Sequence, residues 1–247
     1  MLYLSSIHRN LAKVLCMAAS TLVLASGAVA QNFPTKALKI VVPNAAGGAA
    51  DITARTVGQK LGEALGQSVV IENRPGAGGN VAAQIVAKSP PDGYNLFLTT
   101  ISTHGINPTL YSTLPFDPVK DFTPLMNYGS FLTFVTVAAN SSFASLRDLI
   151  AFARREPGKL TIGVSGIGAN SHLNMARLAA EEGVEVTFVP FTGGAPATTA
   201  LLGGHVMCAV VAGEVLPSVR DGTLRLISLL NADKSEEFPN VPTMPEL

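Results

Sequence analysis

Two stretches of this chain set small residues where a strand hands over to a helix, and the chemistry they offer is anion binding by backbone. Leu38 to Val42 is a largely apolar run that stops at Pro43. Asn44, Gly47, Gly48, Ala49 and Ala50 follow as a loop, and a helical pattern begins near Asp51. The second stretch repeats the order: Leu160 to Ser165 is a strand, Gly166, Ile167, Gly168, Ala169 and Asn170 make a loop, and Ser171 and His172 open a helix. The first turn of a helix carries N–H donors without partners, and its dipole favours negative charge. Glycines remove the Cβ atoms that would hold a ligand away from that backbone. A carboxylate or phosphate is the natural occupant. A hydrogen bond to a charged group contributes about 1.5–3 kcal/mol net, and a helix end up to ~2 kcal/mol. A handful of such terms reaches the roughly 8 kcal/mol of micromolar binding without any Arg or Lys. Asn170 or Ser171 can cap the second helix. Asp51 has two readings: an acceptor for a ligand amine or hydroxyl, or the cap of its own helix.

Other chemistry finds less support. Gly163-Val164-Ser165-Gly166 lacks the final glycine of a nucleophile elbow, because Ile167 stands there. Ser171 and His172 are adjacent, and adjacent helical residues do not face each other. Gly76-Ala77-Gly78 lacks the third glycine of a dinucleotide fingerprint, Val81 taking its place. His104, His172 and His205 show no metal spacing. The expectation is therefore a protein that is not an enzyme and uses no cofactor or metal. Ser102, Thr103 and His104 follow a strand end, where α/β proteins contact ligands, although turn capping explains them equally well. Asn73, Arg74 and Gly76 shape a rim, with Arg74 suited to a structural ion pair.

The N-terminus sets the compartment. His8, Arg9 and Lys13 precede an apolar stretch, Val14 to Val29, and Ala28-Val29-Ala30 has the form of a signal-peptidase site. The stretch is short for a membrane span, which needs roughly 20 residues. Cys16 follows Leu15, so no lipid anchor is expected. Cleavage near Ala30 leaves 217 residues with 15 basic and 17 acidic side chains, Arg9 and Lys13 having gone with the leader. The reading is a soluble, exported protein. Near-neutral charge without a basic cluster argues against nucleic acid. Cys208 is then the only cysteine, in the apolar run VMCAVVA, and reads as an inert buried thiol.

The loops must be held by a scaffold, and the remaining pattern supplies one. Helices are predicted over 51–65, with Gly66 as its stop, after the loop over 73–80 as far as Lys88, and over 145–156, with Ser145 as N-cap. Further helices are predicted over 170–182, 195–202 and 215–220, and strands over 68–72, 96–100, 131–138, 160–165, 185–190, 206–212 and 224–230. Strands alternating with helices imply parallel sheet. The proline-punctuated stretch 101–124 reads as the crossing between two lobes.

With these elements in order, the residues become familiar. The chain resembles the Bug-type (TctC-like) substrate-binding proteins of tripartite tricarboxylate transporters. The resemblance rests on VVPNAAGGAADITAR (41–55), VIENRPGAGGNVAAQIVAKSPPDGYNL (70–96) and THGINPTLYSTLPFDPVKDFTPL (103–125). It continues in GVSGIGANSHL (163–173), VPFTGGAPATTALLGGHV (189–206) and FPNVPTMPEL (238–247). It implies an α/β periplasmic-binding-protein type II, or Venus-flytrap, fold with two lobes around a ligand cleft. The implied division is a leader over 1–30, lobe one over 31–101, lobe two over 102–222, and a return to lobe one over 223–247. The resemblance also implies that the chain stops short of a tail that completes lobe one.

The implied function is capture of a small organic carboxylate in the periplasm by the loops at 43–51 and 165–171. The implied destination is the inner-membrane permease subunits of a tripartite transporter, with a sensor kinase as the alternative partner and a monomer as the working form. Thr192 and Gly193 match a cleft-lining loop of the family, where Thr192 is a ligand contact and Phe191 a packing residue. The family's first loop often carries Ser or Thr where Ala50 stands here, which removes a hydroxyl from the site.

Overall fold

The computed structural model describes residues 33–231 and 234–244. The expected leader, its cleavage site and Cys16 lie outside the described residues. Residues 36–247 belong to one compact unit carrying two sheets.

The first sheet is wholly parallel. Strand β1 (Leu38–Val42) lies between β2 (Val69–Asn73) and β3 (Asn95–Phe97). Helix α1 (Ala49–Leu65) returns the chain from β1 to β2, and α2 (Asn80–Ala87) connects β2 to β3. Helix α1 stops where Gly66 turns left-handed, at φ 66°, as its position past the last apolar residue predicts. The core here is small: Ile40, Val42, Ala50, Ala54 and Leu98, with Val69, Ile71, Leu96 and Tyr128 packed around it.

From Leu98 to Thr133 the chain crosses to the second sheet. Sequence periodicity fails in this stretch, yet it contains a π-helical turn over Ser102–Ile106 and a single helical turn, α3 (Asn107–Leu110). An aromatic cluster holds the crossing in place. Phe122 packs on Phe97, His104 and Phe116 at ring distances of 5.7, 4.9 and 5.9 Å.

The second sheet contains β4 (Phe134–Ala138), β5 (Thr161–Val164), β6 (Thr187–Pro190), β7 (Cys208–Val211) and β8 (Leu224–Leu229), in the order β6-β5-β7-β4-β8. Helices α4 (Leu146–Arg155), α5 (Asn170–Glu181), α6 (Gly194–Leu202) and α7 (Leu216–Arg220) connect them. The inner strands are buried on both faces, with one apolar cluster around Ile162, Val164 and Val210 and another around Phe134, Val211 and Leu229. That is the burial expected of strands covered on both sides.

Two expectations are corrected. The sheet is not all parallel: β4 runs antiparallel to β7 and to β8. No crossover helix joins β4 directly to β7 or to β8, the two strands it pairs with, so the βα alternation leaves its direction against them open. Residues 224–229 do not return to lobe one. They form the edge strand beside β4, and the segment after them stays with the second sheet, since Leu229 N–H donates to Pro242 O at 2.8 Å and Phe238 packs edge-on against Phe134.

Candidate functional site

The cleft between the sheets has a volume of about 1170 Å³. It is built from the C-terminal ends of β1, β5, β6 and β7, where each strand gives way to a loop. Of the residues expected at a site, Asn44, Gly48, Ala49, Ala50, Ser102, Ser165, Gly166, Ala169, Asn170, Ser171 and Thr192 all line this cleft. The two glycine loops therefore face one space although about 120 positions separate them.

Gly47, Asp51, Gly168 and Gly193 do not line it, and the structure gives each a supporting place. Asp51 is 3% exposed. Its carboxylate accepts from Gly47 N–H at 2.9 Å and from Arg55 Nε at 3.0 Å, so it braces the loop from behind. Burial by itself would raise this carboxyl. The Arg55 hydrogen bond, with those of Gly47 and Asn73, outweighs that effect and holds it below the ordinary carboxylate value. Asp51 does not cap α1, whose N-cap is Gly48, but sits inside its first turn and braces the loop through Gly47 and Arg55. Gly168 N–H donates to His172 Nδ1 at 3.2 Å, and His172 stacks edge-on against Phe188. Ser171 Oγ instead meets Ser165 Oγ at 3.0 Å and accepts from Ser165 N–H at 3.3 Å. Ser171 and His172 thus serve different partners, each tying the second loop to its neighbour.

The helix starts are the site's defining chemistry. Helix α1 has Gly48 as its N-cap, α5 has Ala169 and α6 has Gly193, and none of the three carries a capping side chain. This corrects the expectation that Asn170 or Ser171 caps α5; both lie inside its first turn. Helix α4 shows what a closed start looks like. Ser145 Oγ accepts from Asp148 N–H at 3.3 Å while the Asp148 carboxylate accepts from Ser145 N–H at 2.8 Å. Residues Gly48, Ala169 and Gly194 border the cleft, so three uncapped helix starts converge on it. No lysine or arginine is among the cleft-lining residues.

Apart from one carboxylate, that of Glu214, the described residues of the walls carry no charged side chain and are largely apolar. Thr99, Thr100, His104, Tyr111, Tyr128, Phe131 and Phe191 contribute, with Met126 and Ile167 near the mouth. Thr103, for which ligand contact and turn capping are equal expectations, is fully buried and caps the turn, its Oγ1 accepting from Thr100 N–H at 3.2 Å and donating to Thr100 O at 3.0 Å. Burial pushes the His104 imidazole below its usual pKa, and its Nδ1 lies 2.6 Å from Thr99 Oγ1. Tyr128 donates to Thr99 O at 2.5 Å. Asn73 reaches Asn44 O at 3.0 Å, and Arg74 pairs with Glu72, the structural ion pair expected of it. Among the described residues no group of His, Cys, Asp or Glu is arranged to hold a metal, and no helix is long and apolar enough to cross a membrane.

Sequence reasoning missed Glu214. It lies in a 3₁₀ turn after β7, lines the cleft, and accepts from Ala49 N–H at 3.1 Å. A glutamate between two short apolar segments carries no local signal of such a partner 165 positions away.

Two α/β lobes around a cleft with backbone donors at its rim define a two-lobed solute-binding protein of the Venus-flytrap type. The model of the tripartite tricarboxylate transporter family receptor matches residues 53–247, and the chain belongs to that family. A UPF0065 protein from Cupriavidus necator is 37% identical over 220 residues, covering 89% of this chain and 67% of that one. An R. palustris protein solved with adipate superposes with a TM-score of 0.83 at 35% identity, covering 87% of this chain and 72% of the other. MatC from Rhodopseudomonas palustris, solved with bound malate, superposes at 0.80 with 31% identity, covering 87% and 73%. The protein is thus a member of a family of binding proteins rather than of enzymes.

Proposed function

We propose that this protein captures a small organic carboxylate in the periplasm, after export and cleavage of its leader near Ala30, and delivers it to the inner-membrane permease subunits of a tripartite transporter. The observation that carries the reading is the convergence of three uncapped helix starts on a cleft without a lining cation. Backbone N–H groups at a helix start favour an anion, and a carboxylate is the anion carried by both R. palustris neighbours. The first turn of α1, at Ala49 and Ala50, and that of α5, at Asn170 and Ser171, supply the donors. The apolar and aromatic walls accept the body of the acid.

A thermal-shift screen of the protein against small mono- and dicarboxylates, malate and adipate included, tests this. A ligand at 100 times its Kd stabilises the native state by about 2.7 kcal/mol, which is roughly 5–11 °C in Tm for a protein of this size. A shift with one class of acid supports the reading. A cooperative transition unmoved by every acid overturns it.

A further inference from the structure

We propose that Glu214 is an internal anion that occupies a helix start on the cleft and clasps the two lobes together, so that an incoming carboxylate must displace it. Its side chain crosses from the second lobe to the first. One carboxylate oxygen accepts from Ala49 N–H at 3.1 Å, at the start of α1, and the other accepts from Ala212 N–H at 3.1 Å, beyond the end of β7. The carboxylate also lies against the start of α6. A Cβ on Gly194 would stand 1.4 Å from Glu214 Oε1 and 2.5 Å from its Cδ, so only a glycine leaves room for it. Three elements from both lobes therefore form one seat, and its occupant is the only carboxylate among the described residues that line the cleft.

The consequence follows from charge. Ala49 N–H is an unpaired donor of the α1 first turn unless an anion takes it. Glu214 takes it. A ligand carboxylate that uses the same helix start must either share it with a like charge or replace the side chain. Glu214 thus acts on the carboxylate site proposed above without contributing a donor to it, and the second arm of the test rests on that reading.

The test compares the full wild-type chain with Glu214→Ala, Glu214→Gln and Gly194→Ala. The three atoms nearest the Cβ that Gly194→Ala adds all belong to the flexible Glu214 side chain, so the substitution evicts the carboxylate while leaving the backbone in place. The first arm needs no ligand. Deuterium exchange of the Ala49 amide, read by NMR, should quicken about tenfold in Glu214→Ala and in Gly194→Ala, and by less in Glu214→Gln, whose amide keeps a single acceptor. Unchanged exchange in both alanine variants overturns the clasp. The second arm measures affinity for malate and adipate by calorimetry. Binding about tenfold tighter in Glu214→Ala than in wild type is the result expected. Equal or weaker binding in the variant overturns the displacement role. Binding to neither protein defeats the carboxylate reading and displacement together, and the exchange arm still decides the clasp.

Discussion

The Ala45 N–H donates to the Thr192 carbonyl at 3.1 Å, joining the first glycine loop to the loop after β6. The contact is backbone to backbone, so neither side chain specifies it. What permits it is Gly193, whose φ of 152° places it where side chains are rarely found and whose Cβ would stand 3.3 Å from Ala45 N. Gly193→Val should therefore both strain its own backbone, at about 1–3 kcal/mol, and press the two loops apart. Urea denaturation should show a lower midpoint with an unchanged slope, and a midpoint equal to that of the wild type would show that the loops do not depend on this contact.

Gly48→Val separates binding from folding. Gly48 has φ −78° and ψ 166°, a conformation open to valine, and its Cβ would meet only Ala45 O at 3.5 Å. The added isopropyl group borders the cleft beside the donors of α1. Carboxylate affinity should fall at least tenfold, about 1.4 kcal/mol, with the melting temperature little changed. Unaltered affinity would remove the first loop from the site.

Asp51 holds the same loop from its buried side, and its removal should act on stability. Asp51→Ala leaves Gly47 N–H and Arg55 without their acceptor, a loss of about 1–3 kcal/mol. The Asp51 carboxyl is depressed in the folded protein, so its contribution is present above its unfolded value of about 3.9 and fades as pH falls through the folded one. Chemical denaturation of wild type and variant at pH 7 and pH 3 checks both statements: the difference between them should shrink at the lower pH.

Mild acid should weaken the fold by a second route. Burial lowers the pKa of both His104 and His172, so the unfolded chain binds protons at a higher pH than the folded one. Stability is then fully present above about pH 6.5, the unfolded histidine value, and declines as pH falls toward the folded values. Protonation also takes the lone pair with which His172 Nδ1 accepts from Gly168 N–H. The melting temperature should drop between pH 7.5 and 5.5, and His172→Gln should flatten that slope. An identical slope in the variant would remove His172 from the account.

Cys208 should be silent toward thiol reagents. It is fully buried on β7, within the cluster around Ile162 and Val210, and burial pushes its thiol up to about 12. Iodoacetamide at pH 8, with modification mapped by mass spectrometry, should leave Cys208 unlabelled in native protein and label it in urea. Labelling of the native protein would mean that β7 opens far more readily than its burial implies.

What the chain determines by itself is local. The apolar spacing and Gly66 define α1, Ser145 with Asp148 defines the start of α4, and the glycine loops announce themselves because strand, loop and helix start lie within about fifteen residues of one another. These depend on contacts a few residues apart, so composition and spacing suffice. Tertiary structure alone decided the direction of β4, the place of β8 at its side, the role of Asp51 and the seat of Glu214. Each depends on a partner that only the packed chain brings near, or on whether a short polar side chain turns toward solvent or toward its own backbone. A run such as Leu224 to Leu229 has the same apolar pattern at the edge of either sheet, and a glutamate near a cleft looks like any surface glutamate until the helix start 165 positions earlier arrives beside it.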